Sequence, residues 1–218
     1  ARLNTFMRAG RVPSTGFAES RTVPIPKKMP HGVQFNPSDP DHYRGITMGN
    51  LWPKLLSLVI DSRLLHWAMS CDIIGPSQIA FLPLHGAEFH VFSLLETVRK
   101  QWRDGKDVFA LFVDFKKAYD MVHQDCLWQI LERAGVPASL VGLLRQWHRV
   151  RTTTMQVNGI SSDAYPYTRG VPQGEILACL LFIIFIESLS RFLNSNDDLP
   201  GVVLRVGPVG QPAPAEPG

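Results

Sequence analysis

Six apolar residues, Val108 to Val113, run without interruption and end on Asp114; a second aspartate, Asp120, stands six positions further on. An unbroken apolar run of this length predicts a strand covered on both faces, because a strand with one solvated face alternates. The end of such a strand is a rigid mount for a charge. The plain reading of Asp114 is an N-cap of the following turn, its oxygen accepting a backbone N–H. The functional reading is a metal ligand, since Mg²⁺ takes oxygen ligands in near-octahedral geometry and prefers one or two carboxylates plus substrate phosphates.

With 218 residues and 45% apolar content, the chain can bury a sizeable core as one domain or two small lobes. It begins on Ala1, which suggests a fragment or a processed product, and no signal-peptide pattern opens it. The longest apolar run, Ile176 to Ile186, has 11 residues, against about 20 needed to span a bilayer. A buried helix is expected there, and no membrane partner. Cys71, Cys126 and Cys179 are odd in number and form no C-x-x-C pair, which speaks against a disulfide framework or a thiolate zinc site. The seven histidines show no metal-ligand spacing. The net charge of +3 is weak support for a polyanionic partner, but residues 1 to 54 carry eight Lys/Arg against three acids.

Pro24, Pro26 and Pro30 make the early chain extended rather than helical. Helices are predicted over about Leu51–Met69, Ala87–Trp102, Asp125–Ala134 and Pro137–Val150, with Gly135 stopping the third; Ile73 to Gly86 reads as irregular. Asn158-Gly159 between two extended runs is a type I′ hairpin signal. The loop TRGVPQGE leads into a long apolar helix ending near Leu193, and residues 207–218 form a Pro/Gly/Ala tail expected to be disordered. Helices, a strand, helices, a hairpin and a helix make an α+β fold with a small antiparallel sheet packed on helices.

FVDFKKAYD (residues 112–120) resembles motif A of reverse transcriptases, and RGVPQGEILACLLFIIFIESL (169–189) is similar to their motif B. VPIPKK (23–28), HYRGI (42–46) and QIAFLP (78–83) resemble the fingers motifs. GVPQG follows the motif A aspartate pair by 52 residues, counted from Asp120 to Pro172. The likeness is to the non-LTR, LINE-like retrotransposon branch and covers residues 22 to 204. It implies an extended arm (1–21), a fingers-like region (22–107), a partial palm (108–206) and the tail.

The resemblance also implies roles. Asp114 would bind both ions of a two-metal phosphoryl-transfer site, and Phe115 would offer its carbonyl to a metal. Tyr119 would be the steric gate choosing dNTP over rNTP, and its bulk disfavours an RNA-making polymerase. Gln173 and Gly174 would lie beside the templating base pair and the nucleotide. Lys27 and Arg44 would meet the triphosphate, as a point charge and a bidentate fork. Lys116 and Lys117 are expected to be solvated, and Asp120 structural. Implied partners are an RNA template, a DNA primer and dNTP, with Mg²⁺ as cofactor and the nucleus as the site of action.

The chain also departs from the family. Its aromatic-x-Asp-Asp motif C is absent, although LPGVVLRV (199–206) resembles the segment before it; Asp197 and Asp198 sit in a polar turn and are rejected as substitutes. Leu82 and His85 stand where arginines are frequent, Gly45 follows Arg44 where proline is usual, and Ala178 and Cys179 replace a common Ser-Pro. One strand carboxylate cannot fix two divalent cations. The expectation is a decayed or truncated copy without polymerase activity of its own. The other readings are a non-catalytic nucleic-acid-binding remnant and an unstable fragment exposing apolar surface.

Overall fold

The computed structural model of the chain describes residues 15–83 and 86–195. His85, Asp197, Asp198, the segment 199–206, the tail and the first fourteen residues lie outside them. The described residues form two compact units: the chain up to Ile73 with Phe115–Ile186, and Ile74–Asp114 with the chain from Glu187 onward.

The sheet belongs to the first unit. Strand β1 (Glu19–Pro26) pairs antiparallel with β2 (Tyr43–Gly49) and parallel with β3 (Thr152–Val157), which in turn pairs antiparallel with β4 (Ile160–Ser161) and β5 (Tyr165–Pro166). It is therefore mixed, not purely antiparallel as expected. The parallel pairing joins residues 133 positions apart, which no local signal announces. Its register, Glu19↔Thr152 to Thr22↔Met155, ends before Pro24 and Pro26. The Lys27 N–H donates to His42 O, so the odd residues of β1 direct their backbone groups at β2 and both prolines face away from it. Their missing donors thus fall where β1 has no paired neighbour, the place proline is tolerated. Thr22, Thr47 and Thr153, one from each of β1, β2 and β3, join their hydroxyls at 3.0 Å on the buried face, which satisfies polar groups the core would otherwise penalise.

The predicted helices form with boundaries shifted by a residue or two: α1 (Leu51–Ser70), α2 (Ala87–Arg103), α3 (Gln124–Arg133), α4 (Ala138–Arg149) and α5 (Ile176–Asn194). Gly135 ends α3 at φ +93°, and Asn158-Gly159 turns the β3–β4 hairpin at φ +49° and +80°. Leu56, Ile60, Leu64 and Ala68 put one stripe of α1 into the core. Leu127, Trp128 and Leu131 of α3, Val141, Leu143, Leu144 and Trp147 of α4, and Leu177 to Ile184 of α5, apart from the half-buried Cys179 and Phe182, supply most of the rest. The 19 residues of α5 have the length and hydropathy to cross a membrane, and Leu177, Ala178, Leu180, Leu181, Ile183 and Ile184 of its apolar run are buried in the core.

The second unit is different. Ile74, Ile79 and Leu82 are buried, but α2 buries none of its residues, leaving Phe89, Phe92 and Trp102 exposed. Residues 108–113, predicted to be a doubly covered strand, form no strand: Phe109 is 95% and Leu111 88% exposed. The physical reason is pairing. An apolar run specifies extended chain and a wish for burial, but a strand exists only on a partner's backbone, and no described segment offers one.

Two measurements follow. Gly142 is an exposed interior residue of α4, and a methyl group there meets nothing within 4 Å. Gly142→Ala is expected to raise the urea unfolding free energy by about 0.5–1 kcal/mol. His148 is buried against the Trp128 edge, and burial, then the Arg151 charge, push its pKa down from 6.5 to about 3. The folded state keeps it neutral while the unfolded state takes a proton below 6.5. Stability is thus full above pH 6.5 and falls as pH drops toward 3, by about 2 kcal/mol from pH 6.5 to 4.5 at this group. Urea melts of wild type and His148→Leu should differ in that pH slope.

Candidate nucleic-acid interface

The loop that carries Gln173 and Gly174 is fastened on two sides by backbone hydrogen bonds. Upstream, Gly170 N–H donates to Val122 O at 3.0 Å and Val171 N–H to Tyr119 O at 2.9 Å. These bonds tie the motif A turn to the motif B loop, and Gln124 Nε2 adds a third by donating to Gly170 O at 2.9 Å. At its apex, Gln173 O accepts from Thr47 N–H at 2.7 Å. Thr47 pairs with Thr22, a β1 position whose backbone turns away from β2, so its own N–H points out along the open edge of the sheet. The PQG loop thereby occupies the edge that β2 leaves unpaired.

Both glycines are required by space as well as by angle. Gly170 has φ +80°, and a Cβ there would stand 2.7 Å from Tyr119 O. Gly174 has φ +109°, and its Cβ would stand 2.9 Å from Thr47 O and from Ile46 Cγ2. No other residue lets the loop approach both neighbours this closely.

Tyr119 leans against α5. Its ring stacks on Phe182 at 5.0 Å between centroids, and its hydroxyl donates to Cys179 Sγ at 3.5 Å. Burial, then that contact, raise its pKa, so it stays a phenol. Lys27 lies at the end of β1, where its Nζ donates to Asp41 O at 2.7 Å. Asp41 also pairs with Lys117 at 2.5 Å and Lys116 at 3.2 Å. These two cations, Lys117 first, hold the Asp41 carboxyl down at about 2. Sequence reasoning missed Asp41 and took Lys116 and Lys117 for solvated residues. They are exposed but paired, through a contact 75 positions away in sequence that carries no local signal.

Arg44 is exposed on β2, opposite Ile25. Beside the loop lies a cavity of about 240 Å³, lined by Arg21, Thr47, Lys54, Ser57, Gly174 and Glu175 among others. Arg21 and Lys54 bring positive charge to it, and neither was singled out from the sequence. Thus the first unit gathers the motif A turn, Lys27, Tyr119, Gln173 and Gly174 within one sheet-and-helix framework. Asp114 is not held as expected. It is exposed, follows no strand, and ends the segment of the second unit; Phe115, also exposed, opens the segment of the first.

Mg²⁺ can be tested against these donors. Among the described residues no group of three or more His, Cys, Asp or Glu side chains comes together to hold an ion. Asp41 is committed to two lysines. Asp114 alone supplies one carboxylate, and two hard cations with near-octahedral shells need more. The described donor set does not fit a two-ion site.

The reverse transcriptase (RNA-dependent DNA polymerase) family profile matches residues 25–202, so the chain belongs to that family. It is similar to the Retrovirus-related Pol polyprotein from type-1 retrotransposable element R2 of Bradysia coprophila, with 28% identity over 88% of the chain and 21% of that relative. It is also similar to the corresponding polyprotein of type-2 element R2DM of Drosophila melanogaster, at 24% over 89% of the chain and 17% of the relative. The RNA-directed DNA polymerase from mobile element jockey of the same fly matches at 25% over 74% of the chain and 18% of the relative. These are non-LTR retrotransposon proteins, the branch its motifs resemble. The chain spans about a fifth of the length of these relatives.

Gly170→Ala and Gly174→Ala are each expected to lower the unfolding free energy by about 1–3 kcal/mol, since strained backbone and a backbone clash add. Gly159→Ala, with φ +80° but nothing within 4 Å, should cost less than either. Urea melts of the three variants side by side check the order.

Proposed function

We propose that this chain is the template- and nucleotide-holding part of an RNA-directed DNA polymerase, which joins a dNTP to a primer 3′-hydroxyl on an RNA template. The observation that carries this reading is the double fastening of the PQG loop, to the motif A turn on one side and to the β-hairpin bearing Lys27 and Arg44 on the other. That arrangement places no single residue by local sequence; it assembles three separate motifs around one loop. In this reading Gln173 and Gly174 present backbone and amide groups to the templating base pair, and Tyr119 limits room at the sugar. Lys27 and Arg44 neutralise phosphate.

Two Mg²⁺ ions would supply activation of the hydroxyl and charge stabilisation of the leaving pyrophosphate in such an enzyme. Asp114 is the residue assigned to them, with the Phe115 carbonyl. Because one carboxylate does not hold two ions, the chain by itself is proposed to bind nucleic acid without extending a primer. A second reading, a remnant that only binds nucleic acid, rests on the same exposed Asp114, which belongs to no group of three or more metal-ligating side chains among the described residues. In either reading the element's proteins would work where its target DNA lies, in the nucleus.

Primer extension on an RNA template with Mg²⁺ and dNTPs, beside Asp114→Ala, tests the first point: no incorporation is expected from either protein, and Asp114-dependent incorporation would show a complete metal site. Binding of an RNA–DNA duplex tests the second. If Arg21, Lys27, Arg44 and Lys54 each neutralise one phosphate, affinity should fall about a hundredfold between 50 and 200 mM salt. A flat salt dependence contradicts a phosphate-tracking surface.

A further inference from the structure

We propose that Arg151 is a positioning residue that holds the downstream end of the PQG loop in register with the sheet. The sequence gives Arg151 no distinction; it lies between α4 and β3. In the structure it is 2% exposed, and its Nη1 donates to Glu175 Oε1 at 2.5 Å. Glu175 directly follows Gly174. The guanidinium lies 5.3 Å over the Trp147 ring, and Trp147 is itself buried against Phe17 at 5.7 Å. The Arg151 backbone is held as well, its carbonyl accepting from Tyr167 N–H at 3.0 Å.

A buried guanidinium must be neutralised nearby, because removing a lone charge from water is costly. Only the Glu175 carboxylate is seen to pair with it among the described residues, while Arg151 Nε has no partner there. The charge therefore fixes where Glu175 can stand. The loop then has three fastenings in sequence order: Gly170 and Val171 on the motif A turn, Gln173 on Thr47, and Glu175 on Arg151. The first two are backbone bonds that many sequences could make. The third depends on one charge pair, and it fixes Gly174, at φ +109°, from its far side. This proposal rests on the reading that Gln173 and Gly174 face a template.

The test uses the whole 218-residue chain and three variants: Arg151→Met, Arg151→Lys and the double Arg151→Met/Glu175→Met. The double variant leaves no buried charge behind, so its thermal midpoint should stay near wild type. Amide exchange is followed at Thr47, whose N–H donates to Gln173, and at Leu131 and Leu144 in the helical core. Expected is at least a tenfold faster exchange at Thr47 in the double variant, with Leu131 and Leu144 unchanged and Arg151→Lys intermediate. Wild-type exchange at Thr47, or a rise shared equally by all three amides, overturns the proposal. Should the double variant not fold, Arg151→Lys carries the same comparison, because it keeps the charge and loses the planar fork. Affinity for an RNA–DNA duplex is measured in parallel and should fall at least threefold. Release at Thr47 with unchanged duplex affinity supports the fastening and overturns the template-facing reading instead.

Discussion

The open edge of β2 is the constraint on which the first unit turns. An edge strand presents unpaired backbone groups, and something must cover them. Here the PQG loop does so through a bond from Thr47 to Gln173, with further fastenings to the motif A turn upstream and to Arg151 downstream. To reach the edge, the chain must pass the motif A turn at Gly170 and leave through Gly174, both at positive φ. It then enters α5, whose apolar residues supply much of the core. The PQG loop is, in physical terms, a sheet-edge cap.

The charges around this framework fall into two kinds. Asp41 with Lys116 and Lys117 is exposed, so its pairing is screened by salt. Arg151 is buried over the Trp147 ring and pairs with the half-buried Glu175, where desolvation of the guanidinium ties it to that carboxylate. The first pairing is open to solvent and salt, and the second is shielded from both.

Much of the fold was legible from local pattern. Gly135 and Asn158-Gly159 acted where their φ requirements said they would. The inner stripe of α1, Leu56, Ile60, Leu64 and Ala68, was not legible that way, since the equally apolar Leu55 and Leu58 are exposed. The site was legible only in part. Tyr119, Gln173 and Gly174 were reached through motif resemblance, and the structure brings their segments together. Asp41, Arg151 and the Arg21–Lys54 cavity were not, since each is made by residues distant in sequence with ordinary local surroundings. The strand at 108–113 failed for the opposite reason: its local pattern was strong, but pairing is a property of two segments.

The sequence by itself determined the helices, the turns and the family, because backbone preference and apolar period act within a few residues. Tertiary structure decided three things. It paired β1 with β3 in parallel, it set the PQG loop on the edge of β2, and it left Val108–Val113 without a strand partner among the described residues. Each depends on which backbone groups find one another across long stretches of chain. Hydrogen-bond pairing at that range is specified by the whole packed unit and by no single stretch within it.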